Sequence, residues 1–334
     1  MASNNRSDGN RTALPDSLAK EYLSAVLGST SFNVFLVLIG MSVVMTFASD
    51  KFLSSSNLFS VARAFSFIAI MAIGQCLVII SGGVDLSVGS IFGLSGVVAA
   101  FVMGRLGMAI PSAILLGVGV GVLFGLFNAL LITKARLPPF IATLGNLSVA
   151  RGFCYVVTKG YPITGLPDSF LVFGQGYIGL IPNPVIILVI LTVAFTFFLK
   201  RTVTGRRIFA LGSNEEAARV SGINTVSLKF VVYALAGALA GFAGILSASR
   251  LGIGQPTAGI SWELDSVAAV IIGGASLSGG TGSVIGAVLG AAIMGVLRNA
   301  LVLLSVSAYW QQIVIGSVIL LAVSVDQLRK HNNA

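Results

Sequence analysis

The sequence has a single histidine, two cysteines and very little charge, only 9% Asp, Glu, Lys and Arg over 334 residues. His331 stands three residues from the end of the chain, which removes the usual general base of Ser/His and Cys/His nucleophile pairs and most zinc chemistry. Cys76 and Cys154 both fall in apolar stretches and have no metal-ligand spacing, so no disulfide framework is expected. No lysine follows a glycine anywhere, which excludes a phosphate-binding G-x-x-x-x-G-K-[ST] loop. Any ATP used with this chain is therefore bound by another one. No metal, cofactor or catalytic residue is expected. The balance of 20 basic against 11 acidic residues is read as membrane topology, with no nucleic-acid partner.

What the chain has in abundance is apolar sequence, 56% of its residues. This is not the composition of a water-soluble core, and it makes the bilayer the expected solvent and a membrane lipid contact part of the surface. A spanning helix needs about 20 apolar residues. Uncharged windows of that order run over 32–49, 64–84, 86–104, 106–133, 169–199, 230–249, 266–297 and 299–325, and 137–157 is interrupted only by Arg151. The 266–297 window is broken by GGASLSGGTGS at 273–283 and is read as two segments. The expected fold is thus an all-α polytopic helix bundle of about 10 spans occupying 31–326.

The first 30 residues are largely polar and contain no cleaved-signal pattern. They are read as a cytoplasmic tail, 1–30, in which Asp16 or Ser17 caps a short interfacial helix or which is simply frayed. Residues 327–334 form the second tail. With both termini inside, the cytoplasmic segments hold thirteen Lys and Arg and the external ones six, in agreement with the positive-inside bias. The long outer loop, about 157–182, is rich in Gly, Pro and aromatics; the inner one, 200–229, carries six basic residues. Glycines four apart, as at Gly117, Gly121 and Gly125 or Gly237 and Gly241, predict close helix packing rather than chemistry. GGVDLS at 82–87 is echoed by GGASLS at 273–278.

Within the inner loop, Ser213 or Asn214 is placed to cap a two-turn helix. Glu215 and Glu216 lie in its first turn, and Gly222 ends it. Ala217, Ala218 and Val220 offer a compact knob, with Arg206, Arg207 and Arg219 around it.

Residues 216–222, EAARVSG, resemble the E-A-A-x-x-x-G pattern of permease subunits of ATP-binding-cassette importers. SGGVDLSVGS, LPPFIATLG, GSNEEAARVSGIN, QPTAGISWELDSVAAVIIGGASLSGG and GAVLGAAIMGVLRNALVLL look like the ribose-type, monosaccharide-importing branch, in matching order from about Phe32 to Val325. The resemblance implies a non-catalytic permease of the bacterial inner membrane. It also implies a cytoplasmic ATPase partner, an external sugar-binding protein, and a second permease copy, identical or related. The docking helix would then involve Arg206, Arg207, Asn214, Glu215, Glu216, Ala217, Ala218, Arg219 and Gly222. Two departures stand out: the I-x-L-P ending of the general pattern is replaced by Val232, Tyr233, Ala234 and Leu235, and Arg298 stands where such permeases often have an uncharged polar residue.

Polar groups at membrane depth mark a partner or a pathway. The candidates for the translocation path are Gln75, Asp85, Asn128, Asn146, Glu263, Asp265, Arg298, Asn299 and Gln311. Arg298 either lies in the path or snorkels to the outer interface, and Trp262 is an aromatic neighbour. Asp85 is read in two ways. It is either a titrating group, as an ion-driven secondary transporter would require, or a helix cap: Gly82 and Gly83 would end one helix, and Asp85 or Ser87 would start the next.

Overall fold

The computed structural model describes residues 30–331; the interfacial helix expected in the first 30 residues lies outside that range. The described chain is almost entirely helical. Its elements are α1 Thr30–Ala48, α2 Ser55–Ile80, α3 Val88–Gly104, α4 Ile110–Thr133, α5 Pro139–Thr158, α6 Asp168–Gln175, a two-residue hairpin (β1 Tyr177–Ile178 and β2 Ile181–Pro182), α7 Asn183–Arg201, α8 Val203–Ser213, α9 Glu215–Val220, α10 Thr225–Leu251, α11 Trp262–Ile272, α12 Val284–Leu303 and α13 Ala308–His331. Seven of these (α1, α2, α4, α5, α7, α10 and α12) are long and apolar enough to cross a membrane. Each of the expected segments corresponds to a helix, but the pieces are not of one kind. α3 has 17 residues, and α11 has only 11, about 16 Å of helix against a hydrocarbon core of about 30 Å.

The boundaries follow local chemistry. Charge alone places the start of the second segment at residue 64, yet α2 begins at Ser55 and carries Arg63 inside it, with Ser54 Oγ accepting the Asn57 N–H. At its other end Gly82 adopts φ +83°, a left-handed turn that suits glycine, and its N–H bonds Ile79 O while Gly83 N–H bonds Val78 O. The break read at 273–283 is real: α11 stops at Ile272, and Ser283 caps α12 by accepting the Gly286 N–H.

α2 and α10 form the centre. Residues 66–80 of α2 are all buried, as expected for a helix apolar on every side. α10 packs along α4, α3 and α2. Small residues make these crossings possible: a Cβ on Gly121 would collide with the Gly237 carbonyl, one on Gly237 with the Gly121 carbonyl, and one on Gly244 with Phe92 O. The four-residue glycine spacing is therefore used for packing, where backbones must approach in the absence of a hydrophobic drive between helices. On the outside, Phe47, Leu115, Val156, Val193 and Leu320 are mostly exposed, an apolar perimeter suited to lipid.

Candidate functional site

The inner loop is built from two helices, not the single short one expected. Thr202 Oγ1 accepts the Gly205 N–H and starts α8, whose Ile208 and Leu211 are buried while Arg206 and Arg207 are exposed. The chain then turns at Asn214, whose Oδ1 accepts the Ala217 N–H at 2.9 Å and begins α9. Glu216 pairs with Arg219 at 2.6 Å and Glu215 with Lys229 at 2.6 Å. The Glu216 contact raises the proton affinity of the Arg219 guanidinium; both partners are exposed, so the pair orients side chains more than it stabilises. Gly222 ends the helix at φ +82°.

The expected knob needs one correction. Ala217 and Val220 face outward, but Ala218 is buried, as the 3.6-residue period requires of its neighbour. Glu216, Ala217, Arg219 and Val220 of α9 are exposed.

Immediately before α9 the backbone is wedged into the core. Gly212, at the end of α8, lies so close to the Ile80 carbonyl and Gly280 N–H that a Cβ there would overlap Ile80 O. Gly280 N–H in turn donates to Ile80 O at 2.9 Å. A Cβ on Gly279 would fall 2.9 Å from Gly82 Cα and 2.7 Å from Gly212 O. The turn after α2, the turn after α11 and the end of α8 thus meet at one junction. The two echoed glycine segments are neighbours in space.

Four of the path candidates gather around the break between α2 and α3. Asp85, fully buried, accepts at Oδ1 from the Ser87 N–H (2.8 Å) and Ser87 Oγ (2.6 Å), and Asn128 Nδ2 approaches both its oxygens at 3.3 Å. Asn146 Nδ2 donates to Asn128 Oδ1 at 2.8 Å. The Gln75 amide, with its nitrogen toward the Asp85 carbonyl, donates there at 3.1 Å and accepts the Asp85 N–H at 3.2 Å. The Ser87 N–H, the Ser87 hydroxyl and the Asn128 amide all donate toward the carboxylate, an arrangement that suits an anion, and Asn128 Nδ2 also donates to Ser87 Oγ at 2.8 Å. Ser87 does not cap α3; its hydroxyl is turned to Asp85, which holds the Ser87 N–H instead. These four residues are 0–1% exposed.

A second break lies between α10 and α11. Residues 252–261 are irregular, with Gly254, Pro256 and Gly259 buried, and backbone carbonyls in such a place need donors. Arg151, the lone charge of its segment, supplies them: Nη1 donates to Pro256 O at 2.6 Å and Ala258 O at 2.9 Å, and Nη2 to Gly89 O at 3.2 Å. In the sequence Arg151 stands out only as the one charge interrupting 137–157, and that isolation was the available signal. Glu263, just past the break, lies against Gly89 and within the field of Arg151.

The remaining candidates meet elsewhere. Arg298, on α12, pairs with α11: its Nη2 donates to Asp265 at 2.6 Å. Asn299 and Asn57 exchange amide bonds at 2.8 and 3.1 Å. Arg298 and Asn299 line a cavity of about 250 Å³ with Ser60, Phe65, Arg250 and Trp262. The indole of Trp262 packs against Phe92, ring centroids 4.9 Å apart. Gln311 is apart from both groups, donating to Val306 O at 2.8 Å.

The family described as branched-chain amino acid transport system / permease component matches residues 57–323. The chain belongs to this permease family. The permease is 43% identical over 305 residues to the ribose import permease protein RbsC of Escherichia coli K12, covering 89% of this chain and 94% of that protein. It is also 43% identical over 297 residues to RbsC of Bacillus subtilis 168, covering 88% and 91%. The xylose transport system permease protein XylH of Haemophilus influenzae is 33% identical over 369 residues, covering 91% and 98%. No solved structure matches the permease. It is a multi-pass membrane transport subunit rather than an enzyme.

Proposed function

We propose that this permease forms the transmembrane part of an ATP-binding-cassette importer that carries a monosaccharide, of the ribose or xylose kind, across the bacterial inner membrane. The observation that carries the reading is the identity to ribose import permeases along nearly the whole chain. Four parts complete the machine: this chain, a second permease copy, a cytoplasmic ATPase and an external sugar-binding protein. Both termini lie inside, and ten helical segments enter the membrane, α11 reaching only part-way. The alternative, ion-driven transport through Asp85, is not favoured, because the carboxylate is enclosed by donors that suit a fixed anion.

In this mechanism the ATPase grips α9 through Glu216, Ala217, Arg219 and Val220, with Arg206 and Arg207 adding charge. Motion of α9 passes along α8 to Gly212, and from there to the turns after α2 and α11. Both turns join broken helices, so one push shifts two half-helices together. Sugar released by the binding protein enters the cavity beside Trp262, Arg298 and Asn299, and the Asp85 cluster keeps α2 and α3 together as they move. Separate capture of the sugar makes a tight transmembrane site unnecessary.

The test is copurification. Glu216→Lys reverses the charge on the docking face, and Gly222→Trp puts a bulky residue at a left-handed turn, at a cost of about 1 kcal/mol to the turn alone. Each is expected to lose the ATPase while the permease still inserts and keeps its elution volume; full retention of the ATPase by both removes α9 from the docking role.

A further inference from the structure

The cavity beside Trp262 carries more positive charge than a neutral sugar needs. Arg250, at the end of α10, lines it with its guanidinium over the Phe67 ring at 5.6 Å and no carboxylate partner among the described residues. Arg298 also lines it; one nitrogen holds Asp265, while its Nε is buried without a hydrogen-bond partner. Arg63, on α2, sits over the Tyr177 ring at 4.8 Å, makes one long bond of 3.5 Å to Gln175 O, and likewise has a buried Nε without a partner.

Of these three guanidiniums only Arg298 has a carboxylate partner, Asp265, among the described residues; Arg250 shares the cavity lining with it, and Arg63 lies outside that lining. Like charges at this depth repel more strongly than in water, and the bundle keeps all three. A planar guanidinium matches a carboxylate or phosphate through two parallel hydrogen bonds, a selectivity that an ammonium does not have. The volume, about 250 Å³, is below the roughly 300–1,000 Å³ of drug-sized ligand pockets, which suits one sugar ring. Trp262 supplies the apolar wall such a ring stacks on.

Resting on the reading of the chain as a monosaccharide permease, we propose that this cavity selects an anionic sugar, one bearing a carboxylate or phosphate, with Arg250 and Arg298 as the anion-binding residues and Arg63 as a supporting charge. Asp265 holds Arg298 in place and prevents the anion from binding so tightly that it does not leave.

Saturation-transfer NMR on the full chain in phosphatidylcholine nanodiscs, which add no anionic lipid, tests this with D-ribose, the cyclic uronate D-glucuronate and D-ribose 5-phosphate as probes. The two anions are expected to bind about tenfold more tightly than D-ribose, the effect of one charge-assisted hydrogen bond, and to weaken as NaCl is raised. Arg250→Gln removes the preference without touching an ion pair, so it carries the test even where Arg298→Gln fails to fold. A signal for D-ribose 5-phosphate without one for D-glucuronate assigns the site to phosphate; a stronger D-glucuronate signal assigns it to carboxylate. Equal binding of D-ribose and both anions, silence from all three, or an anion preference that survives Arg250→Gln overturns the proposal. None of these results touches the permease reading, which depends on ATP-driven uptake.

Discussion

At the scale of single residues, the informative cases are the charges that a bilayer should exclude. Asp85 invites comparison with proton-coupled carboxylates because uncharged runs flank it on both sides. Its surroundings answer differently: backbone N–H, hydroxyl and amide all donate to it, and Asn146 continues the chain of dipoles in the same direction. Asp85→Asn keeps the shape but sets an NH₂ among donors. It is expected to cost about 1–2 kcal/mol of stability, measured as a lowered thermal midpoint in detergent, with ATP-driven transport retained. A folded variant that has lost all transport would make the carboxylate a participant. Arg151 and Arg298 were visible in the sequence only as isolated charges. What they do depends on the irregular segment 252–261 and on Asp265, thirty-three residues from Arg298, and local patterns do not reveal such distant partners.

At the scale of elements, hydrophobicity located the helices well and their ends less well. Windows cut at charged residues miss the first turns of α2, because Arg63 packs over the Tyr177 ring within the helix and does not end it. α8 was missed for a related reason. Its buried face is narrow and Arg206 and Arg207 interrupt it, so it reads as a basic loop. α9 was legible because its cap, acidic first turn and terminal glycine all agree, although the inward turn of Ala218 needed the structure. The junction at Gly212 was not legible at all: a glycine in a loop has many uses, and only the packing of Ile80 and Gly280 against it gives this one meaning. Gly212→Val is expected to prise the junction apart, costing about 1–3 kcal/mol by overpacking and uncoupling ATP hydrolysis from sugar uptake. The coupling ratio, measured in vesicles as sugar moved per ATP hydrolysed, should fall severalfold while ATPase binding persists; an unchanged ratio would detach the junction from force transmission.

At the scale of the whole molecule, α2, α3, α4 and α10 pack through close glycine contacts, and the breaks after α2 and after α11 meet beside Gly212 at the end of α8. The parts that look weak by composition, irregular backbone and charges in an apolar bundle, are concentrated at these breaks and at the outer cavity. This distribution suits a device that moves at a few joints while the rest stays rigid. It also explains why no catalytic set was expected: the energy enters from another chain. The most direct measurement is uptake of radiolabelled D-ribose, D-xylose and their acid derivatives into vesicles holding this permease, its ATPase and its binding protein. Uptake of at least one of these is expected to require ATP, to fall to background with vanadate, and to be indifferent to collapse of the proton gradient. Uptake that continues without any ATPase and disappears with the proton gradient would contradict the account.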